Sequence, residues 1–237
     1  MIKFKKAILL IGSPKGKDSF SASLGSYLLS KVEEYDVSIE KVYLHSEINT
    51  EAKRIQFLDK IEETDIIILA APLYVDTLPA KVIRTLSLIA ENRKNINSDH
   101  SDLETDKSFA VIVNCGFPEA EQNKTAFKVY EQFAKEAGFK YLGGISIGMG
   151  GVVSGRSLLE MGGMSSDLIK GLERAADDIV RSHRFSDSVI EKTSKPMISP
   201  KWIYTLVGNF SWRYQAFQNR VYRKMNDKPY RREKFND

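Results

Sequence analysis

The residues with the clearest chemical potential are Ser13, Ser19 and Ser21, with Lys15 and Lys17 between them. They follow a short apolar run that predicts a buried strand, and apolar residues at helical spacing begin directly after them. The N-terminus of such a helix presents unpaired backbone N–H groups and the positive end of a dipole. The pattern therefore indicates a site for a terminal phosphate. An ordinary strand-to-helix turn with capping serines is the alternative interpretation.

Two better-known phosphate motifs do not fit this loop. Three residues separate Gly12 from Gly16, whereas a nucleotide P-loop has four, and Asp18 follows Lys17 where that motif has Ser or Thr. The dinucleotide pattern of three spaced glycines is also absent. Asp18 would repel a triphosphate, so we expect a monophosphate held by hydroxyls and amides.

The composition indicates a globular protein, with room for one sizeable domain and an extension. Of its 237 residues, 42% are hydrophobic and 28% are charged. The single cysteine, Cys115, excludes an internal disulfide and a thiolate metal site built from this chain alone. The N-terminal apolar run is too short for a signal peptide, and it meets Gly12-Ser13-Pro14 instead of a cleavage site. We expect a cytoplasmic protein with no nucleic-acid partner.

Apolar runs and amphipathic stretches alternate along the chain. Several runs are continuous, as in parallel strands covered on both faces. The predicted strands are Lys6–Ile11, Val37–Leu44, Asp65–Ala70, Phe109–Asn114 and Tyr141–Ile147, and the predicted helices lie at 19–34, 51–63, 79–91, 119–138 and 166–184. The polar stretch 92–107 is predicted to be a surface loop. Successive βα units predict an α/β fold with a doubly wound sheet, for which two five-stranded orders stay open.

The loops after strands three and four differ in character from the serine loop. They contain Pro72, Leu73, Tyr74 and Val75, and then the stretch 114–117. Ligands of such sheets bind beyond the carboxyl ends of the strands. One end of the crevice therefore suits a phosphate and the other a flat ring. Histidines and paired carboxylates are scarce at these ends, which argues against a metal hydrolase and a phospho-receiver.

These loops together resemble the flavodoxin-like NAD(P)H-dependent flavin mononucleotide (FMN) reductases and quinone reductases. The resemblance rests on Gly12-Ser13-Pro14, Ser19-Phe20-Ser21, Ala71-Pro72-Leu73-Tyr74 and Asn114-Cys115-Gly116-Phe117-Pro118-Glu119, in the family's order. It implies strand order 2-1-3-4-5, an FMN-binding domain over 1–195, FMN as cofactor and NAD(P)H as substrate. Lys15 stands where the family often has arginine.

The resemblance also implies roles for individual residues. The serines would hold the FMN phosphate, Pro72 to Val75 would edge the isoalloxazine ring, and Asn114 to Phe117 would close its pyrimidine side. Backbone amides of 73–75 or 115–117 would stabilise the reduced ring, and no catalytic side chain is required because the flavin carries the chemistry. Cys115 is interpreted as a structural or flavin-contacting residue. The candidate cofactor contacts are Ser13, Lys15, Ser19, Phe20, Ser21, Pro72, Leu73, Tyr74, Val75, Asn114, Cys115, Gly116 and Phe117.

The resemblance predicts an enzyme that passes reducing equivalents from NAD(P)H to a small acceptor such as a quinone, a free flavin, or a nitro or azo compound. A flavodoxin-type electron carrier is the main alternative, since it would bind FMN without a nicotinamide site. A non-catalytic interaction protein on a flavodoxin-like scaffold is a further alternative.

Residues 196–237 form a C-terminal extension of different character. From residue 201 onward, nine Lys and Arg stand against three acidic residues, a net charge of +6. Apolar residues recur every three or four positions and predict an amphipathic helix, which Gly208-Asn209 would interrupt. We expect the apolar face to form a homodimer contact, and rank contact with a membrane surface below it. The face consists of Ile203, Val207, Phe210, Tyr214, Phe217 and Val221.

Overall fold

A computed structural model describes residues 4–99, 107–152 and 157–228 of the chain. Its centre is a parallel sheet of five strands in the order β2-β1-β3-β4-β5. The predicted fold, a doubly wound sheet of order 2-1-3-4-5, is confirmed. The strands are β1 (Lys6–Ile11), β2 (Ser38–Tyr43), β3 (Ile66–Pro72), β4 (Ser108–Asn114) and β5 (Lys140–Ile147).

Helices cover both faces of this sheet. Along β1 and β3, alternate residues enter two separate hydrophobic cores, because successive strand side chains point to opposite faces. One core is completed by α1 (Phe20–Glu33), α6 (Ser166–Val180) and α7 (Asp187–Ser194). The other is completed mainly by α3 (Glu51–Glu62), α4 (Ala80–Asp99) and α5 (Lys124–Ala137), and by Leu44 of the short α2 (Leu44–Glu47). This burial on both faces explains why the central strands are continuously apolar.

Several helix ends follow the local chemistry of the sequence. Ser19 and Thr50 cap α1 and α3 by accepting hydrogen bonds from the N–H groups of Ala22 and Lys53. Gly138 ends α5 in the left-handed conformation, at φ 72°.

The prediction of a surface loop at 92–107 was wrong for its first half, because α4 continues to Asp99. Contacts with other helices explain this longer α4. The buried guanidinium of Arg93 pairs with Glu62 at 2.6 Å and donates from Nε to the carbonyl of Ala137 at 3.2 Å. These contacts hold the polar end of the helix against α3 and the end of α5. Residues 100–106 of that prediction lie outside the described residues.

Contacts divide the chain into two compact units, Met1–Met197 and Ile198–Asp237. The second unit contains α8 (Lys201–Gln218), followed by a short 3-10 helix, Tyr222–Lys224. The predicted interruption at Gly208-Asn209 was wrong, because α8 runs through both residues. In the described part of the chain, no helix has the length and hydropathy needed to cross a bilayer. The functional boundary at residue 195 stays a prediction.

Candidate functional site

The carboxyl ends of β1, β3 and β4 and the turn after β5 meet around a cavity of about 230 Å³. The cavity is lined by predicted contacts and by three further residues. The predicted ones are Ser13, Lys15, Ser19, Phe20, Ser21, Pro72, Tyr74 and Asn114, and the further ones are Asp18, Gly150 and Gly151. A serine-rich groove of about 390 Å³ along α1 adjoins it and shares Asp18 and Ser19.

The serine loop folds back on itself before α1 begins. Ser13 is buried, and its carbonyl accepts the N–H of Gly16 at 3.0 Å. Gly16 adopts φ +58°, a conformation that suits glycine, and a 3-10 turn over Gly16–Asp18 follows. The turn directs the chain into α1, so its N-terminus faces the cavity.

Ser19 is the capping residue of this loop. Its hydroxyl donates to the carbonyl of Gly16 at 2.7 Å and accepts the N–H of Ala22 at 3.0 Å. Because the hydroxyl proton is already donated within the loop, Ser19 contributes geometry to an anion site without being a donor to it. Of Ser13, Ser19 and Ser21, only Ser19 is therefore a helix-capping residue, as the alternative interpretation of the loop expects.

Donors to an anion are present elsewhere in the loop. In the described part of the chain, the N–H groups of Phe20 and Ser21 have no hydrogen-bond partner, as expected for the first turn of a helix. Lys15 and Lys17 are exposed and form no ion pair with a described residue. Asp18 also lines the cavity and opposes this positive charge. The balance favours a small anion at the start of α1.

A buried hydrogen bond joins the serine loop to the end of β4. The hydroxyl of Ser21 donates to Oδ1 of Asn114 at 2.7 Å. Because Oδ1 accepts this bond, the amide nitrogen of Asn114 points toward Gly150. A Cβ added at Gly150 would lie 3.2 Å from that nitrogen. The same Cβ would lie 3.0 Å from the carbonyl oxygen of Cys115. Glycine lets this turn approach the end of β4 closely.

The loop after β3 is a tight two-residue turn at the rim. Tyr74 and Thr77 exchange backbone hydrogen bonds of 3.0 Å, with Val75 and Asp76 between them at φ 47° and φ 58°. A β-branched residue is strained at positive φ, and Val75 is 96% exposed. Val75 therefore projects away from the cavity, while the half-exposed Tyr74 borders it.

The loops after β4 and β5 are joined to each other by backbone hydrogen bonds. The N–H of Cys115 donates to the carbonyl of Ile147 at 2.9 Å. The N–H groups of Gly150 and Met149 donate back to the carbonyls of Cys115 and Phe117, at 2.8 and 2.7 Å. The Cys115 to Phe117 segment thus supports the site from the side of β5. Its residues do not line the cavity, and neither do Leu73 and Val75.

Burial determines the chemistry of Cys115. The residue is 3% exposed, and desolvation raises the pKa of its thiol above the usual range. A thiol that stays protonated at neutral pH is a poor nucleophile. The interpretation as a structural residue is the one that this environment favours.

Only part of the predicted row of backbone donors is available to a ligand. The N–H groups of Leu73, Tyr74 and Cys115 already donate within the protein. Their acceptors are the carbonyls of Asn114, Thr77 and Ile147, respectively. The N–H groups of Val75 and Phe117 bond to nothing in the part of the chain that the structure describes. A ring at this rim would therefore meet two free amides in place of a continuous row.

The sequence pattern missed Asp18, Gly150 and Gly151 as lining residues. Their position after β1 and β5 was a signal, since ligands bind at the carboxyl ends of strands. The glycines carry no side chain that could have singled them out. Within the described ranges, no three His, Cys, Asp or Glu residues lie close enough together to hold a metal ion.

The chain belongs to the family described as having a flavodoxin-like fold, whose pattern matches residues 5–151. Among solved structures, an FMN-dependent NADH-azoreductase from Bacillus anthracis is 13% identical, with a TM-score of 0.54 over 74% of this chain and 100% of that one. An NADH:FMN oxidoreductase is 15% identical, with a TM-score of 0.57 over 84% of this chain and 98% of that one.

A flavodoxin from Streptococcus pneumoniae is also similar, at 15% identity and a TM-score of 0.50 over 75% of this chain and 99% of that one. These likenesses concern the fold. No curated protein is significantly similar in sequence.

Proposed function

We propose that this chain is an FMN-dependent oxidoreductase that passes reducing equivalents from NAD(P)H to a small acceptor, such as a quinone, a free flavin, or a nitro or azo compound. One observation carries the proposal. The unpaired N–H groups at the start of α1 lie at the cavity that Tyr74 and Asn114 border, where strands of a flavodoxin-like sheet end.

The residues present fit the phosphate of FMN. The N–H groups of Phe20 and Ser21 converge with the buried Ser13 at the start of α1, and Lys15 adds positive charge. Such donors suit a dianionic monophosphate, with charge-assisted bonds worth roughly 1.5–3 kcal/mol each. Ser19 would hold the loop in shape, and Ser21 would act through Asn114.

The rim suits the flavin ring. Tyr74 lines the cavity and is 43% exposed, and Phe117, in the loop after β4, is 53% exposed, so two aromatic side chains are available to a ring that extends out of the cavity. The free N–H groups of Val75 and Phe117 could donate to a ring that gathers negative charge. FMN, when bound, would supply the redox chemistry, and the protein would bind, orient and shield it.

The resemblance of the solved structures supports this choice without deciding the acceptor. The titles of two similar structures name NADH-dependent enzymes that use FMN. The flavodoxin-type carrier is the second candidate, because a flavodoxin is among the similar structures. The whole chain has a net charge of +4, but residues 201–237 by themselves carry +6, so the charge of residues 1–200 does not distinguish the two candidates.

Spectroscopy of the purified protein tests the proposal. FMN is titrated into the full chain, and the flavin absorbance is then followed anaerobically after NADH or NADPH is added. Binding followed by bleaching supports the reductase. Binding without bleaching by either nucleotide supports the electron carrier, and absence of FMN binding overturns both.

Steady-state kinetics extend the same test. If Tyr74 and Phe117 border a single open face, NAD(P)H and the acceptor must use it in turn. Double-reciprocal plots with a water-soluble quinone should then give parallel lines. Intersecting lines would indicate two simultaneous sites and contradict this arrangement.

A further inference from the structure

The helix α8 has an apolar face that is exposed along its length. Leu206, Val207, Phe210, Tyr214 and Phe217 recur at spacings that place them on one side, and each is more than half exposed. Phe210 and Phe217 are exposed by 72% and 71%. Ala216 is the one residue of α8 that is buried in the structure. Soluble surfaces rarely carry such a stripe without a partner.

The helix is continuous, which changes the interpretation based on the sequence. The sequence predicts an interruption at Gly208-Asn209, and an interrupted helix would lie poorly in a membrane interface. Instead α8 runs unbroken for 18 residues, about 27 Å, and Gly208 has open space where a side chain would be. An unbroken amphipathic helix of this length can lie flat in a membrane interface.

Charge distinguishes the possible partners of this face. Residues 198–226 contain five cationic residues and no Asp or Glu, and the first acidic residue is Asp227. Two copies joined through this segment would bring ten positive charges together, whereas an anionic surface would neutralise them. The cations are Lys201, Arg213, Arg220, Arg223 and Lys224.

The aromatic content agrees with a bilayer surface. Trp202, at the edge of the apolar face, is 64% exposed, and Tyr222 beyond the helix is 50% exposed. Trp and Tyr favour the boundary between headgroups and acyl chains, because one end of each ring is apolar and the other is polar. The basic residues after the helix could reach headgroup phosphates while their stems stay on apolar surface.

We propose that α8 and the basic segment after it bind the surface of an anionic lipid bilayer, with the apolar face in the interface and the cations on headgroup phosphates. This binding does not depend on FMN or on reductase activity. The opposite face of α8, which includes Ser211 and Gln215, would remain toward water.

Tryptophan fluorescence gives a direct readout from Trp202, which lies one turn before Leu206 at the edge of the apolar face. Trp212, the other tryptophan of the chain, lies on the opposite side and is replaced by Phe in every sample. The full-length protein is mixed with vesicles of equal parts phosphatidylglycerol and phosphatidylcholine, or of phosphatidylcholine alone. We expect a blue shift and co-sedimentation with the anionic vesicles, weakening as salt is added. Equal binding to the neutral vesicles, or binding to neither, would overturn the proposal.

Two variants separate the contributions of the apolar face and the charges. Phe210→Gln with Phe217→Gln should abolish the blue shift, whereas the matched pair Ser211→Asn with Gln215→Asn on the opposite face should retain it. Replacing Arg220, Arg223 and Lys224 together with Gln should weaken binding to anionic vesicles by about tenfold or more.

The competing partner of the face is a second copy of the chain. A dimer at micromolar concentration that Phe210→Gln with Phe217→Gln converts to a monomer would show that a second copy covers the face. It would replace the bilayer proposal. Light scattering on the same samples makes this measurement without any lipid present.

Discussion

Ser21 and Asn114 are 93 positions apart in sequence, and the hydroxyl of one donates to Oδ1 of the other at 2.7 Å inside the protein. This bond joins the phosphate-type loop after β1 to the end of β4. It also sets the direction of the Asn114 amide nitrogen, toward the turn that begins at Gly150. Ser21 is thus a positioning residue, and its effect on a ligand passes through Asn114.

The first prediction concerns this pair. Ser21→Ala and Asn114→Ala should each weaken FMN binding by about tenfold, since a net hydrogen bond is worth about 1 kcal/mol and an unpaired buried oxygen costs more. The double variant should lose little beyond the larger single loss, because both changes break one bond. Calorimetric or fluorescence titration with FMN measures all three.

Ser30→Ala is the matched control. Ser30 is an exposed residue of the same helix, and its hydroxyl donates to the carbonyl of Tyr27. It should bind FMN as the parent does. Additive losses for Ser21 and Asn114 would mean that the two side chains contact the ligand separately.

The second prediction concerns Asp18, which lines the cavity beside Lys15. Asp18→Asn removes a negative charge near the proposed phosphate, so it should tighten FMN binding by roughly threefold at low salt, with the gain shrinking as salt screens it. Glu33→Gln removes the same charge at the far end of α1 and should have no effect. Weaker binding by the Asp18 variant would place the phosphate elsewhere.

The third prediction concerns Gly148, where the end of β5 meets the loop after β4. A Cβ there would lie 2.7 Å from the carbonyl oxygen of Pro118 and 3.0 Å from that of Phe117, so the backbone must move. Gly148→Ala should lower the free energy of unfolding by about 1–3 kcal/mol. Gly163→Ala, which has open space around its Cβ, is the control for the same chemical change. Urea unfolding measures the free energy of unfolding of both variants. Equal values would contradict the close approach of Gly148 to the loop after β4.

The fourth prediction concerns the pH dependence of Cys115. Burial raises the pKa of its thiol, so the reactive thiolate forms only at higher pH than in the unfolded chain. Iodoacetamide should alkylate the native protein at least tenfold more slowly than the protein in urea at about pH 8, near the ordinary cysteine pKa of roughly 8.5. Fast alkylation of the native protein at neutral pH would indicate an activated thiol instead.

The same shift has a defined sign in stability. The stability that the Cys115 thiol contributes is complete at pH values below the pKa of the thiol in the unfolded chain. It is lost as the pH rises through the higher pKa of the thiol in the folded protein. The unfolding free energy of the parent should therefore decline on the alkaline side more steeply than that of Cys115→Ala. Urea titrations of both proteins at several alkaline pH values measure the difference.

The strands and most helices could be predicted from the sequence, because each is encoded by its own residues. Short continuous apolar runs rich in β-branched residues are typical of strands buried on both faces, and they identified β1, β3 and β4. The end of α4 could not be predicted, since its polar residues are helical only where Arg93 finds Glu62 and the carbonyl of Ala137. An ion pair across helices leaves no periodic signal.

The sequence by itself determined that serines, a helix start and aromatic loops would share one edge of a parallel sheet, because successive βα units make the strands parallel and bring their carboxyl ends to one edge. The strand order came only with the family resemblance. Only the tertiary structure decided what each serine does. Ser19 caps α1 through residues three positions away, whereas Ser21 reaches Asn114 across 93 positions. The two serines have the same chemistry, and only the packing of α1 against β4 distinguishes them.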